Sequence, residues 1–183
     1  MPSPTNVKRA PGMPGTDFLE LSWEFFGELC RVLAVKVATD AYFPEVVVGI
    51  AKAGVIPGAV VASILRCDFY SLKISRDSGG ERVRARPRIL SAAPKEAAGK
   101  RVLVVDELTT SGETMRIALN ALRQVAPAEV RTATSLVKVG GYKPDYYALE
   151  TSATVVFPWD RHIVNPAGEI VVNPIYEGVI DSP

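Results

Sequence analysis

Apolar residues follow two spacings along this chain, and each spacing predicts a different element. From Leu21 to Asp40, LSWEFFGELCRVLAVKVATD repeats apolar positions every three or four residues, the period of an amphipathic helix. That spacing puts Phe25, Leu29, Val32 and Lys36 on one face with Trp23, Phe26 and Leu33 beside it, and Ser22 at the N-cap. After Pro44, VVVGIA (residues 46–51) is a continuous β-branched run, the pattern of a strand buried on both faces. GVIPGAVVASILR predicts a helix starting near Pro57, whose fixed φ suits a first turn. CDFYSLKI (67–74), RVLVVD (101–106) and EVRTATSLVKV (129–139) read as further strands. Between the last two, GETMRIALNALRQV sets Met115, Ala118, Leu119 and Leu122 on one helical stripe. Buried strands alternating with helices specify an α/β fold, a doubly wound and mainly parallel sheet that binds ligands outside the carboxyl ends of its strands.

Three segments fall outside that alternation. Residues 1–17, MPSPTNVKRAPGMPGTD, are rich in proline and poor in apolar residues, too polar to repay the entropy of ordering; they predict a flexible arm ahead of a single domain at 18–183. Residues 75–87, SRDSGGERVRARP, carry Arg76, Arg82, Arg84 and Arg86 without a core pattern, and predict an exposed, mobile loop at about 75–88. From Tyr146 the chain alternates and then meets prolines (YYALETSATVVFPWD), predicting a β-rich appendage or hood over about 140–183.

Composition narrows the chemistry. With 183 residues, 48% of them hydrophobic, one domain can bury its core without staples. Lys plus Arg (21) nearly cancels Asp plus Glu (20), which argues against nucleic acid as a partner. Two cysteines, Cys30 and Cys67, form no disulfide framework and no metal spacing. No apolar run approaches a membrane span and no leader pattern opens the chain, so a cytoplasmic protein is expected. The single histidine, His162, follows Arg161 in a polar stretch and is expected at the surface. Catalysis is left to carboxylates, cations and backbone donors.

Those groups concentrate at VLVVDELTTSGET, residues 102–114. Asp106 and Glu107 end a buried strand. Thr109, Thr110, Ser111, Gly112 and Thr114 then open a helix, so hydroxyls and unpaired N–H groups gather where an anion is favoured. Helix capping alone would explain Thr109 to Ser111. The density of the cluster points instead to a sugar phosphate, with the acids on ribose hydroxyls.

VVDELTTSGET resembles the signature with which type I phosphoribosyltransferases bind phosphoribosyl pyrophosphate (PRPP). The likeness covers roughly residues 20–165 and is greatest to xanthine-guanine and hypoxanthine phosphoribosyltransferases: LSWEFF resembles their opening helix, VVVGIAKAGVIPGAVVA their pyrophosphate loop and helix, SLVKVGG their base-contacting lysine segment and FPWD their hood. The resemblance implies a cytoplasmic purine-salvage transferase that displaces pyrophosphate from PRPP by a nucleobase, forming a nucleoside 5′-monophosphate as a homodimer or homotetramer. It assigns Asp106 and Glu107 to the ribose hydroxyls, and Thr109, Thr110, Ser111, Gly112, Glu113 and Thr114 to the 5′-phosphate side. Lys52, with Ala53 and Gly54, falls to the pyrophosphate, joined by Arg82 from the arginine-rich loop. Lys138 would donate to the exocyclic oxygen of a 6-oxopurine, with Val155 and Trp159 beside the base. Mg²⁺ would arrive on the pyrophosphate, with Asp106 or Glu107 the nearest protein carboxylates, and no direct protein cage is implied.

Three positions depart from the purine enzymes' pattern. Thr110 stands where they carry an Asp that meets the purine N7, Thr154 where they carry an aromatic ring, and Ala53 where a Gly is common. Guanine, xanthine and hypoxanthine are the expected acceptors, and an unusual heterocycle is the alternative. A PRPP- or nucleotide-sensing regulator with the same fold is the rival without chemistry. A receiver domain also opens on VLVVDE, but too few residues follow Glu107 for one, and neither G-x-x-x-x-G-K-[ST] nor G-x-G-x-x-G occurs.

Overall fold

A computed structural model describes residues 7–9, 17–77 and 83–180. In chain order the elements are β1 (Val7–Arg9), β2 (Asp17–Glu20), α1 (Trp23–Thr39), β3 (Val46–Ala51), α2 (Val55–Leu65), β4 (Asp68–Asp77), β5 (Val83–Ile89), β6 (Arg101–Thr109), α3 (Glu113–Arg123), β7 (Glu129–Lys138), β8 (Tyr146–Thr151), β9 (Thr154–Val156), β10 (His162–Val164) and β11 (Ile170–Val172). They divide into two compact units, Leu29–Thr151 and the pair Met1–Glu28 with Ser152–Pro183.

The larger unit is the expected doubly wound α/β layer. Its six-stranded sheet has the order β5-β4-β3-β6-β7-β8, with only β5 antiparallel. Alternation along the strands sorts the faces. Val46, Val48, Val102 and Val104 pack with Met115, Ala118 and Leu122 of α3. On the opposite face Gly58 of α2 lies against Gly49 and the Phe69 ring. Arg131, one residue beyond Val130, reaches that same face, where its guanidinium covers the Tyr42 ring at 4.4 Å and bonds Asp40 just past the end of α1.

Four expectations change. The buried face of α1 is Phe26, Leu29, Cys30, Leu33, Ala34 and Val37, whereas Trp23 is 55% exposed and Phe25 and Val32 are half-buried. Lys36 turns outward and donates to the Tyr147 carbonyl at 2.6 Å. With apolar residues on two adjoining stripes, close approach to the sheet selects the one holding small Cys30 and Ala34. Helix α2 begins at Val55, so Pro57 sits inside its first turn. The loop expected at 75–88 is the flank of a hairpin, because β4 continues to Asp77 and β5 returns antiparallel to it. Pro87 is tolerated there because β5 is the edge strand; residues 78–82, Arg82 among them, lie outside the described residues. Finally, β8 is a full member of the main sheet, parallel to β7 through Ala133↔Tyr146 to Lys138↔Thr151, so residues 146–151 belong to the layer that carries the site.

The smaller unit contains the sheet β1-β2-β9 and the ribbon β10-β11. Val7–Arg9, inside the segment expected to be a flexible arm, pairs with Asp17–Glu20, while residues 1–6 and 10–16 lie outside the described residues. Phe18, Val156, Tyr176 and Ile180 form its core. Ser22 caps α1 as its sequence position predicts, accepting from Phe25 N–H at 3.2 Å.

Candidate active site

Five parallel strands end on the same edge, and the loop after β3 and the turn after β6 meet there. Residues 51–54 leave β3 with a cis Ala51–Lys52 peptide and enter α2 through Gly54. A methyl group at Gly54 would stand 2.7 Å from Asp106 Oδ1, 2.7 Å from the Ile50 oxygen and 2.8 Å from the Val105 oxygen. Only a hydrogen fits there, so glycine lets the first loop press against the first carboxylate of the second.

Asp106 is 7% exposed, and its Oδ1 accepts from the Glu107 N–H at 3.0 Å. Burial, reinforced by the Glu107 charge, holds its carboxyl well above the usual carboxylate range; the backbone bond opposes this but does not outweigh it. Glu107 is half-buried and more open to solvent.

Strand β6 continues to Thr109, so the turn proper is Thr110 to Gly112. Thr110 and Ser111 are exposed, while Thr109 is buried and donates its hydroxyl to the Tyr142 carbonyl at 3.0 Å. Gly112 is the N-cap of α3 at φ 72°, ψ 7°, the left-handed region, and contributes no side-chain acceptor. Ser111 Oγ reaches the Glu113 N–H only at 3.4 Å, and the first helical bond joins Arg116 N–H to the Gly112 oxygen. Capping therefore does not account for the hydroxyl cluster. The first turn of α3 keeps donors for an anion.

Two concavities border this turn. One of about 320 Å³ is lined by Asp106 and Leu108 through Met115. The other, about 200 Å³, is lined by Lys52, Ala53, Asp106, Glu107 and Thr114 together with Ile50, Ala51, Ile74, Pro87 and Leu108. Asp106, Leu108 and Thr114 line both, so cation, carboxylates and helix terminus share walls. The structure thus brings together Lys52, Ala53, Gly54, Asp106, Glu107 and Thr109 through Thr114.

Lys138 ends β7 and is half-buried, and burial holds its amine below the usual lysine range. It lines neither concavity. Val155 and Trp159 belong to the smaller unit. Val155 is buried opposite Leu19, and Trp159 stacks on Phe157 at 4.7 Å and meets Phe26 edge-on at 4.8 Å. His162, expected at the surface, is half-buried in β10 with Nε2 enclosed, because the ribbon pairs it with Val172. Arg82 lies outside the described residues, while Arg76, Arg84 and Arg86 fall on β4 and β5. Among the described residues no three His, Cys, Asp or Glu side chains converge as a metal cage. The sequence reading missed Tyr142, whose backbone bonds Thr109 and Thr110.

Comparison with known proteins agrees with this geometry. The Phosphoribosyl transferase domain family matches residues 22–167. A xanthine-guanine phosphoribosyltransferase of Gluconobacter oxydans is 25% identical over 78% of this chain and 84% of its own. An adenine phosphoribosyltransferase of Acidiphilium cryptum is 30% identical over 71% and 81%. The crystal structure of a purine phosphoribosyltransferase from Pyrococcus horikoshii superposes with a TM-score of 0.69 at 25% identity, covering 81% of this chain and 97% of that one. This chain belongs to the phosphoribosyl transferase domain family.

Proposed function

We propose that the protein transfers the 5-phosphoribosyl group of PRPP to a 6-oxopurine (guanine, xanthine or hypoxanthine), releasing pyrophosphate and forming the nucleoside 5′-monophosphate. The observation that carries this is the shared wall: Asp106 and Thr114 line both concavities, one of which also holds Lys52 and Glu107. Asp106 and Glu107 accept from the ribose 2′- and 3′-hydroxyls. The N–H groups and hydroxyls from Thr110 to Thr114 hold the 5′-phosphate. As the bond from C1 to the pyrophosphate oxygen breaks, the electron pair leaves with pyrophosphate toward Lys52; a ring nitrogen then bonds to C1 and loses its proton to solvent. The protein's contribution is positioning and fixed charge, with no covalent nucleophile. Mg²⁺ would arrive with the pyrophosphate, with Asp106 or Glu107 the nearest protein carboxylates, and would supply neutralisation of the leaving charge. Lys138, at the end of β7, would donate to the exocyclic oxygen of a 6-oxo acceptor, as the family resemblance implies.

Assembly as a dimer or tetramer in the cytoplasm completes the proposal. Among the described residues no helix is long and apolar enough to cross a membrane.

The test is pyrophosphate release from PRPP and Mg²⁺ with guanine, xanthine, hypoxanthine and adenine in parallel. Turnover of the first three is expected. Turnover of adenine alone overturns the acceptor, and tight PRPP binding without turnover on any base favours a sensor. In the same assay Lys52→Ala is expected to lower kcat about a hundredfold, the usual size of losing one charge aimed at the leaving group; an unchanged kcat would remove Lys52 from the pyrophosphate site.

A further inference from the structure

The turn proposed to hold the 5′-phosphate is tied to α3 by Arg116, which donates to the Ser111 oxygen at 3.0 Å, and it is braced from outside as well. Gly112 sits in the left-handed region with no side-chain cap. Thr110 and Ser111 are exposed, and a flexible turn would lose entropy each time it closed on an anion. What stands behind it is the segment after β7. Tyr142 N–H donates to the Thr110 oxygen at 2.8 Å, and the Thr109 hydroxyl donates back to the Tyr142 oxygen at 3.0 Å. The Tyr142 side chain lies so close to Gly112 that any Cβ there would overlap it. Its other flank packs on the core cluster that holds Met115 and Ala118 of α3. Gly141 completes the contact, since a Cβ on it would stand 2.5 Å from the Thr110 oxygen and 3.0 Å from the Lys138 oxygen.

We propose that Tyr142 is a positioning residue for PRPP: its ring and backbone fix Thr109 to Gly112 so that the N-terminus of α3 is preorganised for the 5′-phosphate. The ring fills the space a side chain at position 112 would need, and the two hydrogen bonds to the Tyr142 backbone hold Thr109, the last residue of β6, and Thr110, the first of the turn. The same segment begins at Lys138, whose carbonyl accepts from Gly141 N–H at 2.9 Å, so the lysine assigned to the base and the turn assigned to the phosphate share one support. This inference rests on the phosphoribosyltransferase assignment of the site.

The test compares wild type, Tyr142→Ala and Tyr142→Phe for binding of PRPP and, separately, of inorganic pyrophosphate, each with Mg²⁺, by calorimetry. Pyrophosphate probes the Lys52 loop and lacks the group the turn would hold. Tyr142→Ala is expected to weaken PRPP binding tenfold or more, the size expected when hydrogen bonds to a charged group lose their geometry, and to leave pyrophosphate affinity within about twofold. Tyr142→Phe, which keeps ring and backbone, is expected to restore PRPP affinity. Equal weakening of both ligands, or of neither, would reduce Tyr142 to core packing and overturn the proposal. A wild-type protein that binds no PRPP would instead overturn the function beneath it.

Discussion

Asp106→Asn combined with Glu107→Gln is expected to turn over PRPP at least about a hundredfold more slowly than wild type, while the purified protein remains folded. Carboxylates strengthen their bonds to the ribose hydroxyls as positive charge grows on the ring, and the two acids act on it as one unit, so the loss is that of removing the pair rather than the product of two single losses. The amides keep the shape and still accept from hydroxyls, so what is removed is charge. Single-turnover assays with PRPP and guanine, with circular dichroism on the same samples, check it. Turnover within tenfold of wild type in a folded double variant would detach the acids from the ribose.

The same pair carries a pH dependence of opposite benefit. Asp106 has its folded pKa raised by burial and by Glu107, so the stability it contributes is fully present below the ordinary aspartate range and is lost as pH rises through the folded value. Asp106→Asn cannot ionise and escapes that loss. Its melting temperature is therefore expected to match wild type near pH 4 and to exceed it increasingly as pH rises. A site that destabilises its own fold when empty, and is relieved by hydroxyl donors from a ligand, fits binding better than structure.

How much of this was legible follows from which forces each pattern records. VVVGIA is buried on both faces, so composition alone fixed its bounds, and Val46–Ala51 is the strand observed. The turn at residues 106–114 was legible because its chemistry is local: acids, hydroxyls and a left-handed glycine lie within nine consecutive residues. The face of α1 was not, since apolar residues on neighbouring stripes let tertiary packing choose. The hairpin of β4 and β5 was missed because the arginines at 84 and 86 suggested a solvated loop, although they alternate with Val83, Ala85 and Pro87 at the period of a strand. Strand β8 joins β7 through residues 139–145 with no helix between them, so a search for strand-helix-strand units passes over it. Tyr142 lies on that connection. Its role is set by contacts some thirty positions away in the chain, to Thr109, Thr110 and Gly112, and no local pattern encodes such a distance.

Gly54→Ala tests whether the two loops act as one site. The added methyl would meet three oxygens at 2.7 to 2.8 Å, and two of them are carbonyls of the central strands β3 and β6, which cannot swing aside as a flexible side chain would. Overpacking of this kind costs about 1–3 kcal/mol, or about 3–10 °C in melting temperature for a domain of this length. The third oxygen belongs to Asp106, so the least costly relief is to push that carboxylate off its position, and a displacement of about 1 Å is enough to cost roughly a hundredfold in rate. Gly27→Ala supplies the control: Gly27 is exposed within α1 with nothing near its added methyl, and the change is expected to stabilise the helix by about 0.5–1 kcal/mol with turnover unaltered. The informative measurement is turnover at 25 °C, well below either melting transition. If Gly54→Ala lowers stability but keeps wild-type kcat and KM there, Asp106 has held its place and the loop after β3 is only a structural neighbour of the acids; loss of turnover in a protein still folded at that temperature ties Gly54, and through it Lys52, to the carboxylate that faces the ribose.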